Sequence, residues 1–231
     1  MWAILCRGWG MRETELLELC KLVNTPDIKV YTMSVDQFKD KGLYDEVYGV
    51  LHQNRKEKIN KMKFLKGRYL SMGVEYLLLR ATWDFGLNYQ ELRQVTDELG
   101  KPWFEGCPYH FNLSHSGWQA MCIMSKFPVG CDVERRRDLD RDIGERCFSE
   151  RERRLLQQCG EEAKEELFFK LWTLKESFMK CTGLGFYLAL QDFSIVFEWD
   201  KIGVEQTVDD GNYHLYGHSA DGYQYAWCVR K

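Results

Sequence analysis

The spacing of apolar and polar residues in the first half of the chain predicts alternating strands and helices. A two-residue period, typical of strands, occurs in residues 28–35 and 111–116, and residues 1–7 and 119–124 are also predicted strands. A helical period, with apolar residues three and four apart, occurs in residues 13–23 and 58–87. The dipeptide Lys101-Pro102 follows the second helical stretch and breaks its pattern.

The second half of the chain begins with a predicted strand in residues 129–134. Ser149 followed by Glu152 matches a capping box and marks a helix start. The remaining elements are a helix in residues 165–180, a strand in residues 193–197 and a hairpin across Ala220-Asp221-Gly222. Because both halves mix strands with helices, we expect an α+β fold of two related halves, residues 1–128 and 129–231, with a cleft between them.

Composition narrows the class of protein. With 231 residues, 45% of them hydrophobic and 29% charged, the chain is expected to be globular. The net charge of -3 gives no overall attraction to nucleic acid. The N-terminal apolar run is too short for a signal peptide and no stretch approaches a membrane-spanning length, so we expect a cytoplasmic protein. The nine cysteines include no C-x-x-C pair, which argues against disulfides and thiolate metal sites.

Two carboxylates suggest a metal site in the second half. Asp132 and Glu134 are two residues apart on a predicted strand, so both side chains lie on the same face. Two neighbouring carboxylates repel unless a cation compensates them, and oxygen ligands suit Mg²⁺. An exposed strand end with no bound ion is the alternative interpretation of this pattern.

The predicted helix in residues 165–180 carries three further charged candidates. Lys175 falls in the middle of the apolar face, where a lysine either extends its ammonium to water or reaches a polar cleft. Glu176 and Lys180 are one turn apart at the edge of that face. An ordinary surface ion pair is the alternative for these two residues.

The run Ser114-His115-Ser116 is a candidate for phosphate binding. No G-x-S-x-G motif accompanies it, so a serine hydrolase is disfavoured. Hydroxyl groups, a histidine and turn amides can instead hold phosphate oxygens. His214 and His218 lie in strand-like sequence, where their spacing does not converge on a metal.

Three blocks in this order resemble the signature motifs of the Sfp-type 4'-phosphopantetheinyl transferases. The first is Phe111 to Ser116, the second Val129 to Glu134 and the third Trp172 to Lys180, and Gly100-Lys101-Pro102 matches a motif that precedes the first. The resemblance implies two similar α+β halves related by an approximate two-fold axis, in a monomer. The run 183–186 departs from the family pattern because it lacks a lysine.

The resemblance also implies roles for individual residues. Asp132, Glu134 and Glu176 would coordinate Mg²⁺ together with the pyrophosphate of coenzyme A. Ser114 and His115 would hold its phosphates. Arg55 and Lys58 of the segment 54–58, with Arg68 as a further candidate, would bind the 3'-phosphate. The remaining implied coenzyme A contacts, in the same cleft, are Lys101, Pro102, Asp132, Lys175 and Lys180.

The implied reaction places the serine hydroxyl of an apo acyl or peptidyl carrier protein in line with the β-phosphorus of coenzyme A and expels 3',5'-ADP. Mg²⁺, His115 and either Lys175 or Lys180 would stabilise the developing charge. Glu176, directly or through a metal-bound water, is the candidate base.

Two questions about partners and function stay open. Because carrier proteins are acidic, basic runs could steer docking, although such runs often only face solvent. These runs are Arg135-Arg136-Arg137 and Arg151, Arg153 and Arg154. The other functions compatible with the sequence are a non-catalytic coenzyme A or carrier-protein binding module and a metal-dependent pyrophosphate hydrolase.

Overall fold

A computed structural model of the chain describes residues 25–137, 147–199 and 201–231. The expected strand in residues 1–7 and the expected helix in residues 13–23 lie outside these ranges. In the described part of the chain, no helix is both long and apolar enough to cross a membrane. No disulfide joins the cysteines that the structure describes.

Groups of antiparallel strands and groups of helices follow one another along the chain. The strands are β1 Ile28–Ser34, β2 Gln94–Thr96, β3 Pro102–Phe104, β4 His110–Ser116, β5 Gln119–Ser125, β6 Val129–Arg135, β7 Ser194–Glu198, β8 Lys201–Glu205, β9 Tyr213–Ala220 and β10 Tyr223–Arg230. The helices are α1 Lys41–Val50, α2 Gln53–Lys61, α3 Leu65–Asp84, α4 Glu150–Gln158 and α5 Glu161–Thr182. Short 3-10 helices connect some of them.

Each half pairs one antiparallel sheet with one long helix. In the first half the strand order is β1-β5-β4, and α3 covers one face of this sheet over a buried core that includes Leu77, Phe111 and Cys122. In the second half the order is β6-β10-β9-β8-β7, and α5 covers that sheet over a core that includes Leu174 and Phe178.

The two sheets pack against each other through their remaining faces. Met121 and Ile123 of β5 contact Val129, Cys131 and Val133 of β6 in a third apolar cluster. The layers therefore run from α3 through the two sheets to α5. The predicted α+β class is confirmed, whereas the two-fold relation between the halves and the boundary at residue 128 stay predictions.

The single helix expected in residues 58–87 is wrong. The structure has α2 and α3 there, separated at Met62, Lys63 and Phe64. The carbonyl of Met62 accepts a hydrogen bond of 2.9 Å from Nε of Arg68. A side chain can thus satisfy a carbonyl at a helix end, and the periodicity of apolar residues carries no signal of such a break.

Other expected elements are present in the structure. Ser149 and Glu152 form both hydrogen bonds of a capping box at the start of α4. Asp221 and Gly222 have φ angles of 50° and 76°, which a tight hairpin between β9 and β10 requires. Helix α5 extends beyond the predicted 165–180 and ends at Gly183, whose φ is 76°.

Candidate active site

A glycine in β6 allows α5 to lie directly on that strand. A Cβ atom at residue 130 would lie 2.1 Å from the carbonyl oxygen of Ser177 and 2.4 Å from the amide nitrogen of Cys181. Because side chains alternate along a strand, Asp132 and Glu134 lie on the same face as Gly130. The close approach therefore brings both carboxylates next to the last turns of α5.

Strands β4 and β6 are joined by hydrogen bonds from backbone to side chain instead of from backbone to backbone. Side-chain oxygens of every second residue of β4 accept hydrogen bonds from the backbone N–H groups of every second residue of β6. The pairs are Asn112 with Cys131 at 2.9 Å, Ser114 with Val133 at 3.3 Å and Ser116 with Arg135 at 3.1 Å. These bonds fix the register between the halves of the protein at the site.

The same serines also donate hydrogen bonds to the carboxylates. Ser114 Oγ lies 2.8 Å from Oδ1 of Asp132, and Ser116 Oγ lies 2.7 Å from Oε2 of Glu134. Lys180 Nζ lies 2.7 Å from Oδ1 of Asp132 and 3.2 Å from the carbonyl oxygen of Cys131. All three motifs recognised in the sequence therefore meet at Asp132.

A cavity of about 710 Å³ opens over these groups. Residues of α2 and α3 form part of its wall, and residues of β4, β6 and α5 form another part. It brings together most of the residues expected from the sequence. The expected residues that line it are Arg55, Lys58, Pro102, Ser114, His115, Asp132, Glu134, Glu176 and Lys180.

Burial, together with repulsion between the carboxylates, raises the pKa of the two glutamates in the cavity. Burial raises the pKa of Glu176, and the charges of Asp132 and Glu134 raise it further, while Lys180 opposes them. Burial also raises the pKa of Glu134, while its hydrogen bond from Ser116 opposes the shift. Burial lowers the pKa of Lys180, but its anionic neighbours, chiefly Asp132, outweigh burial and the net shift is upward. The site thus favours a cation at Lys180 and disfavours charge on the two glutamates.

His115 lies on β4 at the wall of the cavity. Partial desolvation lowers its pKa, and the positive charges of Lys180 and Lys58 lower it further, although a hydrogen bond with its own backbone opposes the shift. An imidazole with a lowered pKa is neutral near pH 7 and can donate one hydrogen bond.

The carboxylates suit a hard cation in their chemistry. Oδ2 of Asp132 is buried and has no hydrogen-bond partner among the residues that the structure describes. A buried oxygen of this kind costs free energy unless an ion or water completes it, and Mg²⁺ prefers oxygen ligands. As the described side chains stand, however, no group of three or more His, Cys, Asp or Glu residues is arranged to hold a metal ion.

Lys175 does not lie in the cavity, contrary to the expected role. Its Nζ atom lies 2.8 and 2.7 Å from the two carboxylate oxygens of Glu152 and 2.7 Å from the carbonyl oxygen of Phe193, and only 1% of its side chain is exposed. Burial lowers its pKa, against the opposing charge of Glu152. Lys175 points from α5 into the core of the second half, where the carboxylate of Glu152 balances its charge.

Lys101 also lies outside the cavity over the carboxylates, where its ammonium contacts backbone carbonyl groups. Its Nζ atom lies 2.6 Å from the carbonyl oxygen of Lys180 and 3.3 Å from those of Val129 and Cys181. An ammonium has three N–H donors, so these contacts occupy all of them. Lys101 lines a neighbouring cavity of about 250 Å³, and its contacts join the two halves rather than reaching the cavity over the carboxylates.

Arg68 is the third expected residue that lies outside the cavity. Its Nε donates to the carbonyl of Met62 at the end of α2, as described above. Its neighbours in the sequence, Gly67 on one side and Leu70 on the other, do line the cavity. On a helix, residues this close point in different directions.

Several structural roles at the site were missed in the sequence. Asn112 and Ser116 were recognised only as motif letters, although their alternation with Ser114 predicts a common face. The sequence predicts Glu152 as part of a capping box but gives no sign that it pairs with Lys175. Glu75, a buried carboxylate beside the cavity wall, carries no local sequence signal because its partners are distant in the chain.

Comparisons with known proteins agree with the motifs. A family model of the 4'-phosphopantetheinyl transferase superfamily matches residues 128–228. The 4'-phosphopantetheinyl transferase Sfp of Bacillus subtilis strain 168 is 32% identical over 148 residues, which cover 63% of this chain and 66% of that protein. A second 4'-phosphopantetheinyl transferase of Bacillus subtilis is 29% identical over 170 residues, covering 73% and 76%. The solved holo-acyl-carrier-protein synthase of Thermotoga maritima is 25% identical, with a TM-score of 0.41, and covers 46% and 63%.

The family model identifies residues 128–228 as part of the 4'-phosphopantetheinyl transferase superfamily. Within it, the chain is similar to the Sfp-type proteins, and the family predicted from the three motifs is confirmed. The alignment spans 66% of the length of the first relative. The activity predicted from the sequence is the activity named for these relatives.

Proposed function

We propose that the chain transfers the 4'-phosphopantetheine group of coenzyme A to a serine of an apo acyl or peptidyl carrier protein. The supporting observation is the convergence of all three sequence motifs on Asp132, inside one cavity that also holds Glu134 and Glu176. Both walls of the cavity come from one chain, which supports a monomeric enzyme.

The proposal assigns the acidic side of the cavity to the metal. Asp132, Glu134 and Glu176 would hold Mg²⁺, with the unpartnered Oδ2 of Asp132 as the clearest vacant donor. When bound, Mg²⁺ supplies positive charge that neutralises the pyrophosphate of coenzyme A.

Residues of this chain position the reacting groups and balance their charge. Lys180 and His115 are placed to donate hydrogen bonds to phosphate oxygens as negative charge develops on the leaving group. Ser114 keeps Asp132 in place through its hydroxyl hydrogen bond. Lys175 has no part in this step, because its ammonium is buried against Glu152.

In the transfer step, the carrier serine oxygen forms a bond to the β-phosphorus of coenzyme A. The bond from this phosphorus to the oxygen of 3',5'-ADP breaks, and 3',5'-ADP leaves with that oxygen. Glu176 takes the serine proton. In the metal-free protein, burial and then the neighbouring carboxylates raise the pKa of Glu176, and a bound cation would counteract this shift.

Docking of an acidic carrier onto the basic runs stays a prediction. In the structure, several of these arginines have acidic neighbours on their own surface. Arg151 lies 2.6 Å from Glu205, Arg136 lies 3.7 Å from Glu166, and Arg154 forms an ion pair within its own helix. These pairs reduce the positive charge that a carrier protein would meet.

Intact-mass spectrometry of apo carrier proteins tests the proposed function. Incubation with this protein, coenzyme A and Mg²⁺ should add the mass of one phosphopantetheine group, and EDTA or Glu176→Gln should prevent the addition. Coenzyme A binding without any mass gain would instead indicate a binding module. Release of 3',5'-ADP in the absence of a carrier would indicate a pyrophosphate hydrolase.

A further inference from the structure

A buried carboxylate lies directly behind the basic end of the cavity. Glu75 of α3 is 1% exposed, and its Oε2 lies 2.5 Å from Nη2 of Arg55, whose side chain is 12% exposed. The hydroxyl of Tyr89 donates a hydrogen bond to Oε1 of the same carboxylate. Arg55 itself lines the cavity, next to Lys58.

The ion pair with Glu75 uses only part of the Arg55 guanidinium. Its Nη2 atom lies 2.5 Å from Oε2 of Glu75. A guanidinium has five N–H donors in a planar fork that matches phosphate oxygens, and one contact through Nη2 does not use them all. Glu75 therefore holds Arg55 at the cavity wall while other N–H groups of the guanidinium stay available for a phosphate.

Tyr89 is itself held firmly. Its carbonyl oxygen lies 2.9 Å from Nε2 of His52, and the two rings are 4.3 Å apart. Burial and the charge of Glu75 raise the pKa of Tyr89 far above the physiological range, so its hydroxyl remains a donor. His52 directly precedes α2, the helix that carries Arg55. A closed set of contacts therefore ties the start of α2 to α3.

We propose that Glu75 and Tyr89 are positioning residues that hold Arg55 ready for the 3'-phosphate of coenzyme A. The inference rests on the proposed function, in which the carboxylates of β6 and α5 handle the pyrophosphate. Arg55 and Lys58 come from α2 in the other half of the chain, and coenzyme A has one further phosphate, on the ribose. A phosphate monoester is the group that a planar guanidinium binds well.

Positioning and charge make opposite contributions at this site. A free arginine loses rotamer freedom when it binds a phosphate, and Glu75 has already removed that freedom. The negative charge of Glu75 also offsets part of the attraction for an anion. Loss of the positioning contribution affects only a ligand that carries the 3'-phosphate, which makes the proposal testable with a matched pair of ligands.

The experiment is isothermal titration calorimetry of the full chain with coenzyme A and with 3'-dephospho-coenzyme A. The wild type should bind coenzyme A more tightly, and Arg55→Ala should remove most of this preference. Glu75→Gln should reduce the preference by about tenfold, because a bidentate phosphate contact loses its pre-ordered partner. Affinity for 3'-dephospho-coenzyme A should stay unchanged in each variant.

Two additional variants separate positioning from folding. Tyr89→Phe keeps the ring and removes only the hydroxyl hydrogen bond, so it should reduce the preference less than Glu75→Gln does. The double variant Arg55→Ala with Glu75→Gln should match Arg55→Ala alone, since Glu75 acts through Arg55. An unchanged preference in Glu75→Gln, or an equal loss of affinity for both ligands, would overturn the proposal. A wild type that binds neither ligand would overturn the proposed function itself.

Discussion

Lys180 Nζ lies 2.7 Å from Oδ1 of Asp132 and links the end of α5 to the middle of β6. The pair lies between the two halves of the chain, because Ser114 of β4 donates to the same carboxylate oxygen. One oxygen of Asp132 is therefore held by the protein, and the other has no hydrogen-bond partner among the residues that the structure describes. This division is what a group needs if it is to bind a cation in a fixed orientation.

Replacing Lys180 by methionine should reduce kcat/KM for carrier modification by about 100-fold, because a cation aimed at the developing charge is lost. The measurement is steady-state transfer with coenzyme A as the varied substrate. Lys201→Met removes an exposed lysine on β8 and provides the matched control. Equal rates for the two variants would exclude Lys180 from the reaction.

Replacing Lys175 by methionine should destabilise the fold rather than the chemistry. The variant leaves Glu152 as a buried carboxylate without its counter-ion, which costs about 3–5 kcal/mol in comparable buried pairs. Urea unfolding measures the loss of stability. The fraction that remains folded should keep the wild-type KM for coenzyme A.

The double variant Lys175→Met with Glu152→Gln tests the cause of that loss. Removing both charges should recover much of the stability, because no buried charge is left without a partner. Failure to recover any stability would show that the unpaired charge of Glu152 is not the cause of the loss. A folded Lys175→Met protein with greatly reduced turnover would place Lys175 back in the reaction.

Periodicity predicted some of the site and could not predict the rest. The two-residue period of β6 puts Asp132 and Glu134 on one face, and the turn of a helix puts Glu176 next to Lys180. Lys175 was ambiguous, because an apolar face can hide a lysine in the presence of a partner that is distant in the sequence. That partner, Glu152, is 23 residues away.

Lys101 shows a different limit of sequence reasoning. Its acceptors are backbone carbonyls of β6 and α5, which every residue type possesses, so no pattern of side chains predicts the contact. The same holds for the break between α2 and α3, where Arg68 binds the carbonyl of Met62.

Replacing Gly130 by alanine should destabilise the protein by about 3 kcal/mol, because the new methyl group overlaps the backbone of α5. Thermal and urea unfolding measure this. Gly49→Ala is the control, because nothing lies within 4 Å of a Cβ atom at that position of α1. Alanine there should instead stabilise the helix by about 0.5–1 kcal/mol. Similar effects for both variants would contradict the close approach of α5 to β6.

Replacing Glu176 by glutamine should abolish transfer while stabilising the metal-free protein. Burial and the charges of Asp132 and Glu134 raise the pKa of Glu176 above its ordinary value of 4.5. The folded state therefore favours the protonated form, and this contribution to stability is present below about pH 4.5 and lost as the pH rises through the folded pKa.

Glutamine resembles the protonated form at every pH. In EDTA, we expect Glu176→Gln to be more stable than the wild type near pH 7, with the difference vanishing below the unfolded pKa. Urea unfolding at several pH values measures the difference, and a variant that is less stable than the wild type at pH 7 would show that the carboxylate is satisfied without a metal ion.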